Sequence, residues 1–138
     1  MLVRRYQADD KEALINLWER VFPNNPKHSQ PRNDLEAKLV VDDFVFVVEL
    51  EGKLVGACMV GYDGHRGWLY AVAVNPDYRR LGVGKKLVEQ AIAELELLGC
   101  VKVNLQIRET NHSVAEFYRS IGFETEQRLS MGRRLSKD

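Results

Sequence analysis

The stretch Arg79-Arg80-Leu81-Gly82-Val83-Gly84 stands between an apolar run, Leu69 to Val74, and an amphipathic run that begins at Lys85. A glycine-bearing turn from strand to helix leaves several backbone N–H groups unpaired at the positive end of a helix dipole, which suits an anion such as a pyrophosphate. The spacing is not that of a G-x-x-x-x-G-K-[ST] loop, and the third glycine of the dinucleotide fingerprint is missing, so ATP-type and NAD-type sites fit poorly. Alone, R-x-x-G-x-G suits an ordinary turn equally well, with one glycine for positive φ and one for close packing.

Farther along, beyond one helical and one strand pattern, the chain reads Asn111-His112-Ser113-Val114-Ala115-Glu116-Phe117-Tyr118-Arg119-Ser120-Ile121-Gly122-Phe123, a capped helix that ends in Gly-Phe. The pattern V-x-P-x-Y-R-R-x-G-x-G, followed by N-x-x-A-x-x-F-Y-x-x-x-G-F, resembles the GNAT superfamily of acetyl-CoA-dependent N-acetyltransferases. The resemblance runs from the first strand to the last. It sharpens at Gly61-Tyr62-Asp63-Gly64-His65-Arg66-Gly67, which is similar to the hairpin of the small bacterial YpeA-type acetyltransferases.

With 138 residues, 45% of them apolar, the chain suits one domain spanning 1–138 rather than two. Twenty basic and twenty acidic residues cancel, so no net field draws it to nucleic acid or to an anionic membrane surface. Cys58 and Cys100 lie in separate apolar segments without C-x-x-C spacing and read as reduced and buried. The chain opens on a strand pattern, and no apolar run approaches the ~20 residues that span a bilayer, so a cytoplasmic protein is expected. Three isolated histidines without i+4 partners do not suggest a metal site.

Leu2 to Tyr6 reads as a strand, and Asp9-x-x-Glu12 as a capping-box start for a helix with Leu14, Leu17, Trp18 and Val21 on one face. Residues 23 to 32 hold three of the four prolines, so regular structure is not expected until Asn33-x-x-Glu36 opens a second helix. Phe44 to Leu50 and Lys53 to Tyr62 read as strands, Asp63-Gly64 as a hairpin turn, and Trp68 to Val74 as the returning strand. Lys85 to Leu98 is helical and stops at Gly99, and Val101, Val103, Leu105 and Ile107 alternate as a strand. A final strand is expected within Phe123 to Leu135, giving the order β-α-α-β-β-β-α-β-α-β. The strand-helix-strand unit around 68 to 107 implies one parallel pair in an otherwise antiparallel, mixed α/β sheet. The resemblance implies six to seven strands, a central parallel pair splayed for acetyl-CoA, and helices on both faces.

It also implies the site. Backbone groups of Val72, Ala73 and Val74 would pair with the pantetheine arm of acetyl-CoA, although the same residues also suit a plain core strand. Amides of Arg80, Leu81, Gly82, Val83, Gly84 and Lys85 would hold the pyrophosphate, with Arg79 where the family carries Arg or Gln. Asn111 would cap its helix and contact the cofactor. Tyr118 would protonate the leaving thiolate, as a phenol of ordinary pKa of about 10 can; it also suits a packed helix tyrosine beside Phe117.

The reaction implied is direct attack of a primary amine on the thioester. In the branch that acetylates ribosomal-protein N-termini, a Glu in a segment like L-E-V-R acts as base. Here the segment reads Leu105-Gln106-Ile107-Arg108, and Gln106 cannot take a proton. Replacement bases would come from Asp63, His65, Tyr70, Glu109, His112 or a chain of waters. The missing Glu also suits a catalytically silent acyl-CoA-binding module. One scaffold serves small-molecule and peptide or protein amines alike as acceptor, and suits a monomer or a homodimer.

Overall fold

Strand β1 (Leu2–Arg5) pairs with β2 (Val45–Leu50), β2 with β3 (Lys53–Tyr62), β3 with β4 (Gly67–Val74), and β4 with β5 (Val103–Asn104), so the sheet follows chain order. The first three pairings are antiparallel and the last is parallel. The structure, a computed structural model, describes residues 1–135. The chain divides into two units, Met1–Leu105 and Gln106–Asp138.

In the first unit the strands alternate their side chains between two buried faces. Val45 and Val47 of β2 and Ala57 and Met59 of β3 meet Leu14, Ile15, Leu17 and Trp18 of α1 (Lys11–Val21) and Leu35 of α2 (Pro31–Val41). The intervening residues Phe46, Val48, Cys58 and Val60, all buried, turn to the other face. There α3 (Val83–Leu97) contributes Val83, Leu87, Val88, Ala91 and Leu95 at helical spacing. Helices therefore cover both faces, as expected. Gly56 makes the second packing possible, because a Cβ there would stand 2.9 Å from Val83 Cγ1. Its missing side chain lets the first turn of α3 rest on the sheet.

Local boundaries moved for identifiable reasons. The acid that closes the turn before α1 is Asp10, whose carboxylate accepts from the Gln7 amide at 2.8 Å. A 3₁₀ turn over Ala8–Asp10 takes up the chain entry, and the helix starts at Lys11 instead of directly after an Asp9 cap. Helix α2 begins at Pro31, ahead of Asn33, with proline in the first-turn position where its missing N–H costs nothing. The 23 to 32 segment also contains a 3₁₀ turn at Lys27–Ser29.

In the second unit Asn111 caps α4 (His112–Ser120) by accepting from the Val114 amide. The strand expected within Phe123 to Leu135 is not formed: the described residues there contain no strand, and β5 is limited to Val103–Asn104. Among the described residues the sheet has five strands rather than six or seven. A strand persists only where a neighbour takes its ladder hydrogen bonds and one face is buried. Leu129, Met131 and Leu135 are 91%, 90% and 94% exposed, so their spacing creates no buried face.

Candidate active site

Strand β4 meets β5 at only two positions, Gly67 opposite Val103 and Trp68 opposite Asn104. On its other side β4 stays paired with β3 to the end, with Ala73 opposite Ala57 and Val74 opposite Gly56. Val72, Ala73 and Val74 therefore lie on a stretch of β4 that has one neighbour strand and one open edge. The register between β3 and β4 shifts between Ala57 and Met59, so that Ala71 and Val72 together face Cys58. Ala71 has φ 51, a conformation that costs a non-glycine residue on the order of 1–2 kcal/mol.

The chain leaves β4 through a 3₁₀ turn at Pro76–Tyr78, tied to α1 by Arg20, which donates to Asn75 Oδ1 at 3.0 Å. Arg79, Arg80, Leu81 and Gly82 follow, all exposed. Arg80 has φ 66 and Gly82 φ 80, and a Cβ on Gly82 would meet nothing within 4 Å. Gly82 is thus required for its backbone angle and leaves open space above the turn. The first bond inside α3 runs from the Lys86 amide to the Gly82 carbonyl, so the amides of Val83, Gly84 and Lys85 have no acceptor within the helix. Among the described residues Arg79, Arg80, Lys85 and Lys86 have no acidic partner. Open edge, free amides and unpaired cations follow one another along 72–86, and together they suit a long ligand that ends in phosphates.

In the second unit Tyr118 is buried, with Phe117 and Phe123 edge-on at 5.0 and 5.4 Å between ring centroids. The Phe123 amide donates to the Tyr118 carbonyl at 3.0 Å, which explains why the helix must end in Gly-Phe: the turn brings that aromatic ring back onto Tyr118. Gln106 donates through its side-chain amide to Ser130 Oγ.

The replacement bases fare unequally. The Asp63 carboxylate accepts from the amides of Arg66 and His65 at 2.8 and 2.7 Å. Those bonds hold its carboxyl below the usual range, which makes it a turn-builder and a poorer base. Burial, and then the charge of Asp63, push the Tyr70 phenol up. His65, Glu109 and His112 are exposed. Burial pushes the Cys58 thiol up to about 12, so it stays protonated. Cys100, expected to be buried, is half-buried because it follows the end of α3, where its thiol reaches the Lys102 carbonyl at 3.3 Å. Among the described residues no cluster of three or more His, Cys, Asp or Glu is placed to hold a metal, and no helix is long and apolar enough to cross a membrane.

A recess opens between α1 and α2, lined by Trp18, Phe22, Asn25, Asp34, Met59 and Ala71, among others. Trp18 and Met59 carried only a core signal, and Asp34 reads as an ordinary first-turn acid. Only the β4 bulge, which no sequence pattern announces, brings Ala71 to this wall.

The model of the acetyltransferase (GNAT) family matches residues 11–123, from α1 through the Gly-Phe end of α4. The chain belongs to that family. Among its GNAT relatives, an acetyltransferase of Pectobacterium atrosepticum is 40% identical over 139 residues, covering 100% of this chain and 98% of its own. An aminoglycoside N-acetyltransferase solved in complex with CoA superposes with a TM-score of 0.80 at 20% identity, covering 98% of this chain and 95% of that one. A ribosomal-protein alanine N-acetyltransferase of Escherichia coli superposes with a TM-score of 0.77 at 23% identity, covering 89% of this chain and 77% of its own. These two structures share the GNAT fold; the full-length match in Pectobacterium places the chain among the small bacterial acetyltransferases of the family.

Proposed function

We propose that this GNAT acetyltransferase moves the acetyl group of acetyl-CoA to a primary amine by direct attack, with residues 1–138 acting as a single cytoplasmic domain. The observation that carries the reading is the open β4 edge running into the Arg79 to Lys85 turn. An extended amide-bearing arm finds strand-like partners at Val72, Ala73 and Val74, as a peptide does at a sheet edge. A pyrophosphate finds the amides of Arg80, Leu81, Gly82, Val83, Gly84 and Lys85 and the charge of Arg79. The solved relative in complex with CoA supports this choice of ligand, and the family match across both units supports one domain.

The chain's own contribution to chemistry is positioning, polarisation and one proton. Tyr118 donates to the departing sulfur, and Asn111 sets the first turn of its helix beside the cofactor. The acceptor must arrive as, or become, a neutral amine. Gln106 offers no base, so water carries that proton to solvent. Balanced charge gives no reason for nucleic acid to be the acceptor, and the protein works as a monomer or a homodimer.

Gln106 favours one alternative, a silent acyl-CoA-binding module. Free-thiol release from acetyl-CoA against a panel of small primary amines and N-terminal peptides separates the two, alongside thermal shifts with CoA. Amine-dependent thiol release is the expected result. Stabilisation by CoA without acetylation of any amine supports the silent module, and no stabilisation at all removes both readings.

A further inference from the structure

Resting on the CoA-binding reading above, we propose that Arg20, on α1, is a positioning residue for the cofactor: it pins the exit turn after β4 and so sets where the phosphate-holding turn Arg79 to Gly84 stands. The guanidinium is forked across that exit. One of its nitrogens donates to Asn75 Oδ1 at 3.0 Å and to Asp77 Oδ2 at 3.4 Å, and the other donates to Asp77 Oδ1 at 3.4 Å. The same Asn75 oxygen accepts from the Asp77 amide at 2.9 Å, so Arg20 grips the two residues that build the 3₁₀ turn at Pro76–Tyr78. A planar fork that meets two acceptors at once fixes orientation as well as distance.

The chain is held differently on either side of this clamp. Up to Asn75 the strand is secured by β3: Val74 stands opposite Gly56, and the Asn75 amide donates to the Val55 carbonyl at 2.8 Å. Beyond the turn Val83, 2% exposed, is seated over Gly56. Between these anchors Arg79, Arg80, Leu81 and Gly82 are exposed, and Arg80 holds φ 66, a conformation that persists only where the flanking structure over-determines it. Arg20 supplies a tertiary hold on the near flank. Helix α1 therefore grips the chain on both sides of the Val72 to Val74 edge, through Trp18 at Ala71 and through Arg20 at Asn75 and Asp77. The second grip is the one that aims the phosphate turn.

An exposed ion pair adds little to stability, and an arginine in the last turn of α1 also complements that helix's dipole, so the test reads cofactor binding instead. The Arg20 side chain is 49% exposed, and Arg20→Ala removes the fork without opening the core. The variant should bind CoA about tenfold more weakly by calorimetry. Its affinity for pantetheine, which lacks the phosphates, should stay within about twofold of the parent. In the ligand-free protein the Gly82 amide NMR signal should move, whereas that of Gly99, just past the other end of α3, should not. An equal loss of affinity for pantetheine, or a Gly82 signal that stays fixed, overturns the positioning role. CoA bound as tightly by Arg20→Ala as by the parent removes this proposal alone, and a parent that binds no CoA removes the cofactor reading together with it.

Discussion

The indole Nε1–H of Trp18 donates to the carbonyl of Ala71 at 2.8 Å, and Ala71 holds φ 51 in the bulge of β4. Helix α1 thereby fixes the one strained residue of the strand next to the proposed thioester edge. Strain of this kind persists only where its surroundings over-determine it. Trp18 is 1% exposed, so Trp18→Phe fills most of the space but leaves the Ala71 carbonyl without its donor. The expected loss is about 1–3 kcal/mol in urea unfolding, with a fall in turnover as the bulge relaxes. A variant within about 0.5 kcal/mol of the parent would show that the hydrogen bond does not hold the bulge.

The turn at Gly82 and Gly84 should carry CoA affinity. Gly84 stands in the first turn of α3 beside amides that have no acceptor in the helix, and Gly84→Glu sets bulk and negative charge against the pyrophosphate. Calorimetry should show CoA binding weakened by about 10²-fold or more, since a charge is placed against a charge at a helix N-terminus. Undiminished binding in a folded variant would move the phosphate site elsewhere.

Tyr118→Phe keeps the edge contacts with Phe117 and Phe123 and removes only the hydroxyl. Turnover should fall by about 10²-fold or more with CoA affinity nearly unchanged. Unaltered turnover, measured where chemistry limits the rate, would return Tyr118 to a packing role.

The strand-turn-helix at 69–98 and the capped helix at 111–123 were legible because each is a local signal: alternation, glycine position, helical spacing and a cap. The two glycines of the turn suit one positive φ and one close approach, and Gly82, at φ 80, takes the first. What stayed hidden was non-local. Nothing along Val101 to Ile107 says that β4 accepts pairing at only two positions, nor that Leu129, Met131 and Leu135 stay exposed instead of closing a strand.

Stability should fall in acid through Asp10. Arg4 donates to its two carboxylate oxygens at 2.8 and 2.9 Å, and that guanidinium holds the Asp10 carboxyl below its usual range. A depressed folded pKa contributes stability that is fully present above the unfolded value of about 3.9 and lost as pH falls through the lower folded one. Asp10→Asn should therefore cost about 1–3 kcal/mol at pH ~7, and the gap to the parent should narrow below pH ~3.9. A gap independent of pH in urea unfolding would mean that the pair contributes packing rather than charge.

Gln106 and Asp63 together predict the pH dependence of the reaction. Gln106 has no titrating group and its amide is engaged by Ser130, while the amides of Arg66 and His65 hold the Asp63 carboxyl below the usual range and so weaken it as a base. With water carrying the ammonium proton, kcat/KM should rise with pH toward the acceptor's own pKa, and the midpoint should move when the acceptor is exchanged for one of different basicity. Gln106→Glu should raise the rate little, because the side chain has been set in a hydrogen bond rather than in a place that tunes a carboxylate. Asp63→Asn should leave the profile unshifted. A limb near neutral pH that stays fixed across acceptors and disappears in Asp63→Asn or His65→Ala would overturn the water relay and put the base in the Gly61 to Gly67 hairpin.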